Sequence, residues 1–527
     1  MPIPRKEGAN LSQINLVMPA SLGLNKQAET NILGPEWATQ ATNAIFDTSG
    51  RLAARQGWFN QTTSPISGNP ITSQIFELVK KDGTTQIISS ANGKLYLGVS
   101  TPTDITGTAT TTAGNNWQFI NAFGSVYGVQ QGAVPIVYNG TTSFANLSAA
   151  SGTLPQGNCG VFHSGRLWIA GSDLQTIQYS ALLDPTKWAT ADGAGSIDMS
   201  SVWPGATDQI VALAFYNGKM FVFGKNRIVI WADNQGSALG LNPNNMYVYD
   251  TVIGTGCIAR DSVQQIEGGD ILFLSAQGLE SIARLVVYKS NPLDNPSKHI
   301  RDYLRQNFVT ATTSSIRSVY SPENAFYLLS IPSSSVTFCF STQFPNQDGS
   351  LRVTEWSNFV PTAMCRAIDG TLYATLGTTT GFTSAQVGGQ IGIYSGYQDA
   401  GMSYTLNYLS GWMDGGQDVN NYLKLLKSIT ALMWVSNSAS LNINWGFDFD
   451  PNLNSFPISL SSTGSSEWGL MEYGLDEWSG GQSLTDCIAP CGGSGQFFRV
   501  GASSAINGQS FALQQFNVYA KIGRMAR

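Results

Sequence analysis

Between roughly residues 70 and 400 the chain alternates short apolar runs with polar turns, and only one stretch there keeps a helical period. The clearest unit is residues 209–233. Ile210–Phe215 is apolar, Asn217-Gly218 interrupts it, Met220–Phe223 follows, Lys225-Asn226 interrupts again, and Ile228–Trp231 ends the unit. Apolar runs of strand length joined by two-residue turns predict an antiparallel meander. Thr85–Ser89, Asn92-Gly93 and Leu95–Leu97 repeat the pattern. Ile271–Leu274 is apolar at every position, which fits a strand covered on both faces.

The turn and the strand after it recur as a phrase. It stands at Asn92–Gly98, Ser164–Ala170, Asn217–Phe223 and Asp369–Thr375, with looser copies at Phe123–Val129, Gly269–Leu274 and Glu323–Ser330. A small polar residue and Gly tolerate positive φ, so Gly93, Gly165, Gly218 and Gly370 are assigned as structural turns. The copies lie roughly 30 to 55 residues apart. Recurrence on that scale predicts an all-β array of radial blades.

The flanks read differently. Residues 1–60 carry few strand signals outside Ile45-Phe46 and Leu52, and form an arm whose strand completes the array. Residues 61–400 form the array itself. One helix is expected at 297–308, capped by Ser297, with Ile300, Tyr303, Leu304 and Phe308 on one face. From 401 to 527 the strands lengthen, notably at 422–447 and 496–520, and predict a separate β-sandwich of jelly-roll type.

Composition narrows the function. Only 12% of the 527 residues are charged while 42% are hydrophobic, so a large core comes with a weakly charged surface. Such a surface is expected to be hidden in an assembly. The net charge of −6 lacks the basic footprint of a dedicated DNA binder. No apolar run is long enough to span a membrane, and Met1–Glu7 lacks the apolar core of a secretory signal. Cys487 and Cys491 are the only close pair of the six cysteines. They can close a loop disulfide, although cytoplasmic synthesis favours two thiols.

Candidate chemistry is sparse. There are two histidines; His163 is assigned to packing or the surface and His299 to a solvated face. Gln156–Gly160 starts like a papain signature but lacks the nucleophile that should follow. Asp448, Asp450, Asn452 and Asn454 alternate like calcium-loop ligands, without the glycine and glutamate an EF-hand requires. Residues 344–356 have the flavour of a sialidase Asp-box, but a β-turn explains them better. No cofactor, no metal and no enzymatic activity are expected. Between Lys427 and Arg499 there is no Lys or Arg, only Asp448, Asp450, Glu467, Glu472, Asp476, Glu477 and Asp486.

Several phrases, taken in order, resemble one family. Thr42–Trp58 resembles an N-terminal phrase of short-tailed bacteriophage tail proteins. Gln178–Trp188 is similar to their Ser…Asp-Pro-x-x-Trp segment, and Ile210–Trp231 to their central strand pair. With the helix and the Asp369-Gly370 turn, the order resembles the packaged-DNA stabilisation proteins, the tail hubs or nozzles of podoviruses. The resemblance covers roughly residues 40–400 and the last strand. It implies a six-bladed propeller and a homohexameric ring below the portal and its adaptor. It also implies contacts with tail fibre, needle or tip proteins, and location in the virion tail after synthesis in the bacterial cytoplasm. Double-stranded DNA would pass without sequence-specific binding. Six copies would carry about −36, which keeps phosphates from sticking. Asp414, Asp418, Asp448, Asp450, Glu467, Glu472, Asp476 and Glu477 are then candidates for the lumen or tip. The alternative is a propeller that binds or hydrolyses glycans, with Trp445, Trp468 and Trp478 beside Asp448, Glu472 and Asp476.

Overall fold

Asn217 and Gly218 both take left-handed backbone, with φ of 48° and 70°, which is what a mirror-image two-residue turn between right-twisting strands requires. Asn92-Gly93, Phe123-Gly124 and Ser164-Gly165 repeat the geometry. Asp369-Gly370 differs. Only Gly370 is left-handed there, and the longer loop is closed by the Asp369 carboxylate accepting from the Thr371 N–H at 2.9 Å.

In the computed structural model the described residues are 11–112, 116–233, 242–267, 269–288, 295–378, 382–415, 420–436, 438–460 and 483–525. The turns join strands into antiparallel meanders. Four-stranded sheets cover residues 72–104, 118–146, 160–198 and 210–253, and a three-stranded sheet covers 264–281. A further four-stranded sheet takes three strands from residues 361–394 and its outermost strand, Trp58–Asn60, from the N-terminal arm. These six sheets form the six-bladed propeller arrangement. Between the last two of them runs the meander 317–356. Its outermost strand, Arg352–Trp356, continues through Trp37–Thr42 into the C-terminal sheet. The ring closes where the Thr362 hydroxyl donates to the Thr72 carbonyl at 2.8 Å.

Sheets stack through their apolar faces. Trp168 meets Phe215 at 5.5 Å between the third and fourth sheets, and Phe223 meets Phe273 at 5.1 Å between the fourth and fifth. Trp168 is fully buried, so truncating it to Ala should cost about 3–5 kcal/mol.

The C-terminal sandwich packs two sheets. One contains Tyr404–Ser410, Phe498–Ile506, Ala439–Phe447 and Asn454–Leu460; the other contains Tyr422–Val435, Phe511–Met525 and Ser483–Pro490. Alternate residues such as Leu441, Ile443, Ile429 and Met433 point inward and are buried, and Tyr408 stacks on Phe516 at 6.0 Å.

The N-terminal arm is richer in strands than its pattern indicates. Leu11–Val17 pairs with Phe511–Met525, and Trp37–Thr42 pairs with Tyr404–Ser410. Short strands whose partner lies hundreds of residues away leave little local signal. The helix runs Arg301–Phe308, after a turn of 3-10 helix at Lys298–Ile300. Ile300, Leu304 and Phe308 are buried, but Ser297 is not its cap. The Ser297 hydroxyl accepts from the Leu279 N–H at 2.9 Å. A second helix, Ile282–Tyr288, is apolar on nearly every position but Arg284, which left no helical period to read.

Candidate functional site

Neighbouring sheets are stitched by uncharged side chains on or beside their innermost strands. The Asn121 amide donates to the Glu77 carbonyl at 2.9 Å, Asn158 to Ile210 at 3.2 Å, and Gln264 to Ser318 at 3.2 Å. The Gly160 N–H donates to the Gln118 side chain at 2.9 Å. Each bond ties a side chain of one sheet to the backbone of the next. The Asn- and Gln-rich, charge-poor composition thus has a structural use at the seams.

One charged cluster breaks that pattern at the propeller axis. Arg260 Nε lies 2.7 Å from Asp261, and Arg317 Nη1 lies 3.1 Å from the other Asp261 oxygen. Arg260 also donates to the carbonyls of Asn116, Trp117 and Asn158. Arg317 donates to Ser73 at 2.9 Å and Ser314 at 2.7 Å. Two guanidiniums held by one carboxylate therefore bind backbone carbonyls of the first sheet and of the segments leading into the second and third. Burial pushes the Asp261 carboxyl up, but the two guanidiniums outweigh it and hold it below the usual carboxylate range. Arg260 and Asp261 border two cavities, of about 290 and 470 Å³. The second is lined by innermost strands from several sheets, including Gln74, Gln118, Gln264 and Met364. The sequence offered one signal for this cluster, an adjacent Arg-Asp pair in a charge-poor stretch.

The acidic candidates that can be located gather at one end of the sandwich. The Asp448 carboxylate accepts from the Gln496 and Phe497 N–H groups, both at 2.8 Å. Asp450 accepts from the Asn452 N–H at 2.9 Å. Lys424, fully buried, donates to the Gln496 carbonyl at 2.8 Å. Burial lowers its pKa, while Asp414 and Asp448 act against that. The acids thus have a basic neighbour after all, reaching in from just before Lys427. Asp418, Glu467, Glu472, Asp476 and Glu477, with Trp468 and Trp478, lie outside the described residues. Beside these acids Arg499 stacks on Trp412 at 4.4 Å, and Trp412, Phe449 and Phe497 follow one another at 5.1 Å.

Other candidates resolve into structure. Asp448 and Asp450 each spend a carboxylate oxygen on amide N–H groups, and no group of three metal-binding side chains converges among the described residues. Trp445 is buried, its indole N–H on the Gly492 carbonyl at 2.9 Å, and offers no sugar platform. Burial pushes the Cys159 thiol up to about 12, away from nucleophilic use. All six cysteines are unbonded, Cys487 and Cys491 included. His163 stacks on Phe215 at 4.2 Å. His299 is not on a solvated face: its ring packs tilted against Trp37 at 4.3 Å, with Nε2 3.0 Å from Asp348. Asp348 otherwise closes the 344–356 turn, accepting from the Ser350 N–H at 3.0 Å.

The fold and these sites define a β-propeller protein with an attached β-sandwich. No family model and no curated protein sequence matches the chain. Solved structures with similar chain traces include PorZ of the type-IX secretion system of Porphyromonas gingivalis, at 11% identity and a TM-score of 0.31. That match covers 60% of this chain and 36% of PorZ, so the chain spans about a third of that protein's length. YCF48, solved bound to a D1 peptide, matches at 10% identity and a TM-score of 0.36, over 65% of this chain and 97% of its own. Hsv2 of Kluyveromyces lactis matches at 10% identity and a TM-score of 0.28, over 54% of this chain and 98% of its own.

Proposed function

We propose that this chain is a structural subunit of a short-tailed phage tail. Six copies form a hub or nozzle ring below the portal and its adaptor, retain packaged DNA and conduct it at infection. The subunit has no catalytic role and resides in the virion tail, where it meets fibre, needle or tip proteins. The reading rests first on the ordered phrases between Thr42 and Gly370.

The observation that carries it is an uncovered apolar edge. Strand Met246–Ile253 is outermost in its sheet, and no strand pairs with its outer edge among the described residues. Tyr247, Val248, Tyr249 and Ile253 on that strand are 44%, 39%, 46% and 59% exposed. Such an edge is a liability for a lone monomer and an asset for a subunit. The ionic cluster on the propeller axis also supports a duplex path between copies rather than through one. Along that path Asp414, Asp448 and Asp450 would repel phosphate and leave DNA free to slide.

Light scattering on the purified protein, alone and with a portal–adaptor complex, tests the reading. The expected mass is about six times 56.5 kDa. A particle that stays at the mass of one chain under both conditions overturns it.

A further inference from the structure

Phe449 stands out at the sandwich end. It and Asp448 hold successive left-handed backbone, with φ of 65° and 45°, a conformation that costs a non-glycine residue free energy. The Asp448 carboxylate, bound to the amides of Gln496 and Phe497, holds the turn. The result is to present the Phe449 ring, 50% exposed, against the edge of Trp412. Strained backbone that displays an apolar ring needs a reason outside the monomer's own packing.

Beside that ring lies a cavity of about 310 Å³, walled by Lys26, Gln40, Glu355, Trp412 and Arg499 among others. Two of its walls are cationic side chains, Lys26 and Arg499. Lys26 has its ammonium over the Tyr303 ring at 5.4 Å and no carboxylate partner among the described residues. Arg499 lines the cavity and donates through Nη2 to the Asp450 and Pro451 carbonyls, while its buried Nε has no hydrogen-bond partner among the described residues. The nearby carboxylates are already satisfied by neutral donors. Glu355 accepts from Thr42 and Tyr303, Asp450 from Asn452, and Asp448 from the two amides above. Two cationic donors next to an exposed aromatic ring fit a peptide that alternates acidic and aromatic side chains.

This chain contains that peptide. Glu467-Trp468, Glu472-Tyr473 and Glu477-Trp478 place an acid before an aromatic residue three times in twelve positions. We infer that segment Glu467–Trp478 of one copy docks on the Lys26–Arg499 cavity and the Phe449 ring of a neighbouring copy. The inference rests on the proposed assembly and names one of its contacts. The proposed ring sets a second copy beside each such site; docking within one chain is the alternative, since twelve residues from Leu460 to Glu472 can span the distance. Leu460, where the chain leaves the sandwich before the segment, pairs with Ala439, and Ser483, where it returns, pairs with Val435. The site lies beyond Phe447, at the other end of the nine-residue strand Ala439–Phe447, roughly 26 Å away.

A charge-swap pair tests this. One full-length chain carries Lys26→Glu and Arg499→Gln; the other carries Glu467→Lys, Glu472→Lys and Glu477→Lys. Each alone should assemble at least about tenfold more weakly than the natural chain, since attraction becomes repulsion, while the far-UV circular dichroism of each stays that of a folded chain. Mixed in equal amounts they should assemble again, because an even-numbered ring can alternate them, and the recovered assembly should weaken as salt rises. Phe449→Ser, at an exposed position, should weaken assembly without altering the charges. If the natural chain assembles and each variant assembles equally well, the docking is wrong and the ring stands. If mixing fails but one chain carrying all five substitutions recovers, the segment docks on its own chain and the inference is overturned. If the natural chain is itself monomeric, the ring and this contact fall together.

Discussion

The propeller and the sandwich are both built of antiparallel strands, but their strands find partners on different scales. In the propeller Ile210–Tyr216, Lys219–Gly224 and Arg227–Asp233 pair in chain order. In the sandwich Leu11 pairs with Lys521, Ala38 with Ser410, and Ala53 with Ala512. Local pairing closes short loops and is entropically cheap; the sandwich must close nearly the whole chain. The propeller should therefore form mostly from its own blades, needing the arm only for the outermost strand of its last sheet, while the sandwich depends on the arm throughout. One device joins them. Arg55 in the arm grips Asp399 with Nη2 at 2.6 Å, both side chains essentially unexposed, while its guanidinium lies 4.1 Å from the Tyr404 ring of the sandwich.

Breaking that joint should have the largest effect. Asp399→Ala leaves the Arg55 charge buried and unpaired and should cost about 3–5 kcal/mol. It should lower the melting of propeller and sandwich together in calorimetry. Two independent transitions, with only one shifted, would show that the joint does not couple them.

The axial cluster should matter within the propeller alone. Asp261→Asn should cost about 2–3 kcal/mol and leave amide exchange in the sandwich strands unchanged. The Asp261 carboxyl is held below its unfolded value of about 3.9 by Arg260 and Arg317 against the cost of burial. Its stabilisation is present in full above that value and is lost as pH falls below it. The natural propeller should lose stability as pH falls below about 4, and Asp261→Asn should flatten that slope. An identical slope in the variant would remove the cluster from the account.

The smallest effect belongs to a single turn. A Cβ at Gly218 meets no neighbour within 4 Å, but its φ of 70° strains any β-branched residue. Gly218→Val should cost about 1–2 kcal/mol, read as a lower melting temperature of the propeller only. An unshifted melting temperature would mean the turn relaxes into another form.

How much of this could be read in advance follows from range. The Asn217-Gly218 turn and the runs around it were legible because turn chemistry and apolar alternation act over a few residues. The Ser297 cap was misread because its hydroxyl answers the Leu279 amide, a partner from another element. Lys424 went unseen as a neighbour of the acids because it sits just outside the stretch that was read and reaches them only through the register of the sandwich. The Arg260–Asp261 pair was visible as letters, but Arg317, the partner that explains it, lies more than fifty positions on.

The sequence alone determined the repeating meander, the all-β class and the change of pattern near residue 400, because each depends on local backbone preference and on which residues avoid water. That an arm strand completes the array was legible too; only the tertiary structure decided that it is Trp58–Asn60 and that it pairs with Gly392–Tyr394. The same holds for the meander 317–356 running into the sandwich, and for two arginines meeting one aspartate on the axis. Those features depend on long-range pairing and on burial of charge. Many partners would satisfy the local chemistry of each residue, and the packing of the whole chain selects one.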